Sequence, residues 1–320
     1  METNVVNEQV RVAVLGGGPD AEREVSLVSS QSVADALAKN SGFVVQRHVI
    51  GRITREALTA IRADVLFPVL HGGFGEGGPL QDLMELDGRP FVGCRSHAAR
   101  LCMDKLASKL TSTGVGLATK LGAVFNPRDL GCPLSFPVVV KPIHEGSSVG
   151  VHFASSPQQF AIVSAKVKED MTKNSGRSYM IEEAVMGGRE LTVGVLDGKS
   201  LPVIEIKPRV AFYDYEAKYN RDDTQYVVSP ELPAEVELRV RSGSEVLARA
   251  IGIRHLCRVD FLLDKVGVPW FLEVNTMPGF TGHSLLPMAA AKTGLDMTQL
   301  TTRLVEIAIR DHRPSAAGQQ

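Results

Sequence analysis

Two pairs of polar residues interrupt an otherwise apolar stretch near the C-terminus. Arg258 and Asp260 lie two apart on one candidate strand (257–263), and Glu273 and Asn275 lie two apart at the end of the next (270–274). Strand side chains alternate between faces with a period of two, so each pair shares a face. If the strands are neighbours, Asp260, Glu273 and Asn275 make an all-oxygen cluster with Arg258 beside it. Two carboxylates among oxygen donors suit Mg²⁺, which draws its remaining ligands from water and phosphate. The plainer alternative is a solvated polar face carrying a cross-strand ion pair. Against it, Val259, Phe261, Leu262, Phe271, Leu272 and Val274 surround these charges with apolar residues.

A second candidate starts at Lys141, which ends the apolar run 136–141 and leads into His144-Glu145-Gly146-Ser147-Ser148-Val149-Gly150. An ammonium at a strand end, followed by backbone N–H groups on small residues, is equipment for a polyphosphate. The Walker A spacing is absent, and a Gly/Ser loop can equally be a flexible connection. Gly16-Gly17-Gly18 lacks the G-x-G-x-x-G spacing of a dinucleotide site. Glu22 and Glu24, just beyond it, could simply complement a helix dipole. His71, at another strand end, reads as structural when taken alone.

The elements that must position these residues form an α/β pattern. Residues 11–15 and 64–70 are short apolar runs suited to buried strands, with residues 43–49 between them of strand character. Each of the two apolar runs feeds a glycine loop and then a helical pattern, the first with Val33 and Leu37 on one face, the second with Leu80, Leu83 and Met84. Pro79 opens the second helix and Gly88 closes it. Strand, loop and helix repeated this way imply a parallel sheet with its loops gathered at one end. Residues 97–113 fit a single helix with Met103, Leu106 and Leu110 in register. Strands follow at 136–141, 179–184 and 191–196, then an irregular polar stretch at 209–226, a helix over Ala234–Ile251, and a hairpin turning through Asp264 to Gly267. A last helix aligns Met297, Leu300, Leu304 and Ile307, and 313–320 reads as a frayed tail.

The whole chain has 320 residues, with 35 Lys+Arg against 36 Asp+Glu, a formal net charge of −1. That length suggests two or three domains. The charge balance offers no basic stripe for a nucleic-acid backbone. No apolar run reaches membrane-spanning length, and residues 1–9 do not resemble a signal peptide. The four cysteines show no metal or disulfide spacing. A cytoplasmic protein is expected.

Taken in order, the segments AEREVSL (21–27), LHGGFGEGGPLQ (70–81), MDKLASK (103–109), VVVKPIHEGSSVGV (138–151), YDYEAKYNRDDTQY (213–226), RVDFLL (258–263) and FLEVNTMPGFTGHSLLPMAA (271–290) resemble the D-alanine–D-alanine ligases of the ATP-grasp superfamily. They span almost the whole chain. The resemblance implies an α/β ATP-grasp fold in three parts: a substrate-binding parallel-sheet domain (1–96), a central subdomain with the phosphate loop (97–190), and a C-terminal domain with the metal site and a lid loop (191–320). It implies ATP-dependent joining of two D-alanines through D-alanyl phosphate, for peptidoglycan precursors, by a cytoplasmic homodimer with no nucleic-acid or membrane partner. It also implies ATP and Mg²⁺ as cofactors, with two ions, for which Mn²⁺ can substitute.

Residue by residue, the likeness gives Lys105 and Lys141 to the ATP phosphates, under the loop carrying Glu145, Ser147 and Ser148. Glu182 would face adenine, with Glu183 beside it, and Glu190 the ribose. Asp260, Glu273 and Asn275 match the magnesium ligands. Glu22 would receive the first D-alanine's ammonium in a hydrogen-bonded set with Ser147 and Tyr219. Lys218, Ser284 and Leu285 would surround the second carboxylate, His71 would line the substrate site, and Arg258 with the Gly279 N–H would stabilise the tetrahedral intermediate. The sequence departs from the family's habit at Gly77, Pro79 and Asp82, which bears on the loop after His71. It also departs at His144 and Ala184, often Arg and an aromatic in relatives.

Overall fold

The computed structural model describes residues 9–147, 149–207 and 224–312. The chain opens with β1 (Val10–Gly17), α1 (Arg23–Leu37), β2 (Phe43–Ile50), α2 (Arg55–Thr59), β3 (Val65–Pro68), α3 (Gly72–Gly75) and α4 (Pro79–Asp87). β1 is central and parallel to both neighbours, in the order β2-β1-β3. Val12 to Leu15 are buried in succession, as expected for a strand covered on both faces. The parallel sheet that the sequence predicts is present, with its glycine loops at the strands' C-terminal ends. α1 also turns Ser26, Ser29 and Ser30 inward. A Cβ at Gly16 would lie 2.0 Å from Ser30 Oγ, so the helix can approach this strand end only over a glycine.

Residues 97–113 form two helices rather than one, α5 (Ser96–Met103) and α6 (Lys105–Gly114). Asp104 leaves helical geometry at ψ 105° and caps α6, its Oδ1 accepting from the N–H groups of Leu106 at 2.9 Å and Ala107 at 3.0 Å. The expected apolar register also fails. Leu110 is 76% exposed, while Lys105, Ser108, Lys109 and Ser112 face inward. Helical periodicity finds the buried face by looking for apolar residues, and here the buried face is polar.

A four-stranded antiparallel sheet follows, built from β4 (Gly122–Val124), β5 (Val138–Pro142), β6 (His152–Ala154) and β7 (Tyr179–Glu183) in the order β4-β7-β5-β6. α7 (Pro157–Lys173) covers one face through Phe160, Val163 and Val167. The larger sheet runs β11-β10-β8-β12-β13, made of β8 (Arg189–Leu196), β10 (Ile204–Lys207), β11 (Gln225–Val228), β12 (Leu256–Leu263) and β13 (Pro269–Asn275), with β9 (Lys199–Ser200) pairing β8. α8 (Ala234–Ile251) packs on this sheet, contributing Val236, Val240 and Leu247 to its core. α9 (Leu285–Lys292) and α10 (Met297–His312) return to the first sheet. There Leu300, Leu304 and Ile307 join Val12, Val14 and Phe67 in one core that also takes in Leu196 and Leu256 of the large sheet. Among the described residues, no helix is long and apolar enough to cross a membrane.

Candidate active site

The hairpin of β12 and β13 brings the first candidate residues together as period two requires. Arg258 stands opposite Asn275 and Asp260 opposite Glu273. The ladder then shifts between Asp260 and Phe261, so that Phe271 faces Phe261 and Trp270 faces Leu262. Leu272 is the extra residue of this bulge. It turns Trp270 to the same side as Glu273, three positions away, and both line one cavity of about 990 Å³. Arg258 donates to Asp260 twice, Nε to Oδ1 at 3.0 Å and Nη2 to Oδ2 at 2.9 Å, and Thr192 Oγ1 donates to Oδ1 at 2.5 Å. All three side chains are buried.

Across the cavity stand lysines. α6 starts beside the phosphate loop, because Lys105 N–H donates to the Ile143 carbonyl at 3.2 Å. Lys105 Nζ donates to the Glu145 carbonyl and lies 3.6 Å from Glu273. It is thus the bridge between the loop and the hairpin. Lys141, at the end of β5, donates to Glu182 Oε2 at 2.6 Å, and Lys109 pairs with Glu182 Oε1. Burial pulls the Lys105 ammonium below its ordinary range against the pull of Glu273, and brings Lys109 down to about 8 against that of Glu182. Burial pushes the Glu182 carboxyl up, but Lys141 and Lys109 together outweigh it and hold the group below its usual range. Glu183 and Glu190 also line the cavity. Both oxygens of Glu182 are engaged by lysines, a charge role its expected place at the base does not convey.

The loop between β5 and β6 is held from two sides. Arg177 grips Glu145 through Nε at 2.5 Å and Nη2 at 2.9 Å, and Asp170 of α7 through Nη1 at 3.0 Å. Ser147, at φ 56°, donates from Oγ to Glu22 at the start of α1. Glu22 therefore meets the loop between β5 and β6. Asp20 joins the neighbouring loops, accepting from Phe74 N–H at 2.9 Å. His71 is buried just ahead of α3. Glu76 accepts from Gly72 N–H at 3.1 Å, and its carboxyl is pushed up to about 8 by burial and by Glu22. Polar side chains of α4 tie down the loop after His71. The Gln81 side chain accepts from Gly78 N–H at 3.0 Å and donates to the Gly75 carbonyl at 2.8 Å, while Asp82 pairs with Arg100 of α5.

Gly279 and Ser284 are adjacent in space. A Cβ on Gly279 would sit 2.8 Å from Ser284 Oγ, so a side chain there would push that hydroxyl aside. Ser284 Oγ accepts from Thr281 N–H at 2.8 Å directly before Leu285, the first residue of α9. Ser148, Lys218 and Tyr219 lie outside the described residues, so of the expected Glu22–Ser147–Tyr219 set only the Glu22–Ser147 contact falls within them. Lys109, Thr192 and Arg177 were not singled out by the sequence reading. A signal for Lys109 existed: Lys105, Ser108, Lys109 and Ser112 form a polar stripe at helical spacing.

The donor set fits the ion expected there. Among the described residues, no group of three His, Cys, Asp or Glu side chains forms a closed metal cage. Asp260 and Glu273 are cross-strand partners near Asn275, whose Oδ1 also accepts from Met277 N–H at 2.9 Å, and two carboxylates with an amide oxygen suit a cation that keeps water and phosphate as ligands.

A family model described as "D-ala D-ala ligase C-terminus" matches residues 127–306. A D-alanine–D-alanine ligase from Dechloromonas aromatica (strain RCB) is 40% identical over 306 residues, covering 94% of this chain and 98% of its own length. The crystal structure of a D-alanine–D-alanine ligase from Bacillus anthracis complexed with ATP superimposes with a TM-score of 0.78 at 29% identity, covering 95% and 98% of the two chains. The VanG D-Ala:D-Ser ligase from Enterococcus faecalis has a TM-score of 0.79 at 25% identity, covering 94% and 100%.

Proposed function

The chain belongs to the D-alanine–D-alanine ligase family, an ATP-grasp family, and on that premise we propose how its own residues perform the ligation. It is an ADP-forming ligase that joins two D-alanines into D-alanyl-D-alanine for peptidoglycan synthesis. The observation that carries the mechanism is the position of Lys105, whose ammonium spans from the Glu145 carbonyl of the phosphate loop to Glu273 of the hairpin.

A carboxylate is a poor electrophile, so the first D-alanine must be activated. An oxygen of its carboxylate attacks the γ-phosphorus of ATP, the bond to the β-phosphate oxygen breaks, and ADP leaves a D-alanyl phosphate. Lys105 and Lys141 offset the charge on the phosphates under the loop of Glu145, Ser147 and Ser148. Magnesium, held by Asp260, Glu273 and Asn275, would supply further charge neutralisation at the phosphates. The nucleoside is assigned to the wall of Glu182, Glu183 and Glu190. Glu22, supported by Ser147 and Tyr219, receives the ammonium of the first D-alanine, with His71 lining that side. Lys218, Ser284 and Leu285 surround the carboxylate of the second. Its amine attacks the acyl carbon, phosphate departs and the amine sheds its proton. Arg258 and the Gly279 N–H stabilise the oxyanion that develops.

The same proposal includes two magnesium ions, replaceable by manganese, a homodimer and a cytoplasmic setting. It also includes a division into residues 1–96, 97–190 and 191–320, with a lid in 209–226, of which 209–223 lie outside the described residues and Gln225 and Tyr226 belong to β11 rather than to an irregular stretch. The four-stranded sheet falls within the second segment, which supports that division. A coupled ADP-release assay tests the function. ADP should form only when D-alanine is added, and ADP release that never depends on a D-amino acid would remove the ligase reading.

A further inference from the structure

Lys109 stands behind the cavity wall with no task in the mechanism above. It lies one turn after Lys105 on the inward face of α6, and its side chain is 8% exposed. Its ammonium pairs with one oxygen of Glu182, donates to the Phe271 carbonyl at 3.1 Å and sits 5.8 Å from the Phe271 ring centroid. Lys141 holds the other Glu182 oxygen at 2.6 Å. Lys141 and Glu182 line the cavity.

This arrangement poses a problem for Lys141, which the mechanism needs at the phosphates. Were Lys141 the sole cation beside Glu182, moving it to a ligand would leave a buried negative charge uncompensated, and breaking buried pairs that way is strongly unfavourable. We infer that Lys109 is a positioning residue, the standing counter-cation of Glu182, which lets Lys141 leave that carboxylate for the polyphosphate of ATP. The inference rests on the ATP-dependent reading. At neutral pH Lys109 is mostly charged even after burial, as the role requires. The competing role is structural only: the Lys109 bond to the Phe271 carbonyl docks α6 on β13.

The two roles separate in ATP binding. Lys109→Met keeps the length of the side chain and removes its charge. Calorimetric titration of the folded variant with ATP and magnesium, without D-alanine, should show affinity weakened roughly tenfold. The KM for ATP should rise in step while kcat changes less than about threefold. Lys109→Arg should retain most of the affinity. In a Glu182→Gln background, adding Lys109→Met should cost almost no further affinity, because the carboxylate that traps Lys141 is already gone. Wild-type ATP affinity in folded Lys109→Met, or a tenfold loss on adding Lys109→Met to Glu182→Gln, would overturn the inference. If Lys109→Met does not fold, the double variant is compared with Glu182→Gln alone: equal ATP affinity supports the inference, and a tenfold gap overturns it. The functional reading fails separately. In that case the unmutated protein would bind ATP yet release no ADP in response to D-alanine, and the binding comparison would still decide the role of Lys109.

Discussion

The Ser147 hydroxyl donates to a carboxylate oxygen of Glu22, 125 residues earlier in the chain, and so ties the phosphate loop to the start of α1. Under the proposed mechanism this bond joins the place where phosphate moves to the place where the first ammonium is held. It makes a loop position answerable to the amino-acid substrate.

Ser147→Ala should therefore act on D-alanine more than on ATP. A hydrogen bond to a charged group contributes on the order of 1.5–3 kcal/mol, so kcat/KM for D-alanine should fall roughly 10–100-fold. ATP affinity by calorimetry should stay within about threefold. A loss confined to ATP affinity would show that Ser147 serves the phosphates alone.

The hairpin carboxylates make a sharper prediction. Asp260→Asn or Glu273→Gln removes a charge and almost no volume, so each variant should fold yet lose nearly all turnover. Near-wild-type rates at saturating magnesium in either variant would reduce the cluster to a polar face. Asp260→Asn should be the less stable of the two, since Arg258 keeps its burial and loses its charged acceptor. Thermal unfolding of both variants checks that ranking.

Arg258→Met retains much of the apolar stem without the guanidinium. The loss should fall mainly on kcat, roughly 10²–10³-fold, as for other oxyanion donors. An effect limited to the KM for ATP would place Arg258 at the nucleotide instead.

His255 predicts a pH dependence of stability away from the site. Its Nδ1 accepts from Gly93 N–H at 3.0 Å, and burial brings its pKa down to about 4. Arg254 adds to that shift, and Asp311 opposes it from 3.5 Å. The unfolded chain takes up a proton below about pH 6.5 that the folded state resists. Stability is thus full above that pH and is lost as pH falls toward 4, by on the order of 3 kcal/mol for this group. His255→Asn removes the titration, keeps an acceptor for Gly93 and tolerates the φ of 55°. Denaturant unfolding of both proteins at pH 7 and pH 5 should show a smaller pH difference in the variant; equal differences would contradict the account.

Much of the site was legible because its signals are local. Period two places Arg258, Asp260, Glu273 and Asn275 from the sequence alone, since the bulge falls only after Asp260. The N-terminal sheet follows from apolar runs broken by glycine loops. Lys109 was not legible from apolar periodicity, because the buried face of α6 is polar and the side facing solvent carries Leu110. The break at Asp104 is visible only as a cap, a role an Asp within a helical pattern does not announce. Trp270 was hidden for the opposite reason: only the bulge turns it to the side of Glu273.

The central claim is that a D-alanine carboxylate is phosphorylated by ATP before the peptide bond forms. The direct measurement uses D-alanine labelled with ¹⁸O in its carboxylate, incubated with the enzyme, ATP and magnesium, with products analysed by mass spectrometry. The account predicts one ¹⁸O in the released phosphate for each D-alanyl-D-alanine made. Dipeptide accompanied by unlabelled phosphate, or labelled phosphate with no dipeptide, would contradict it.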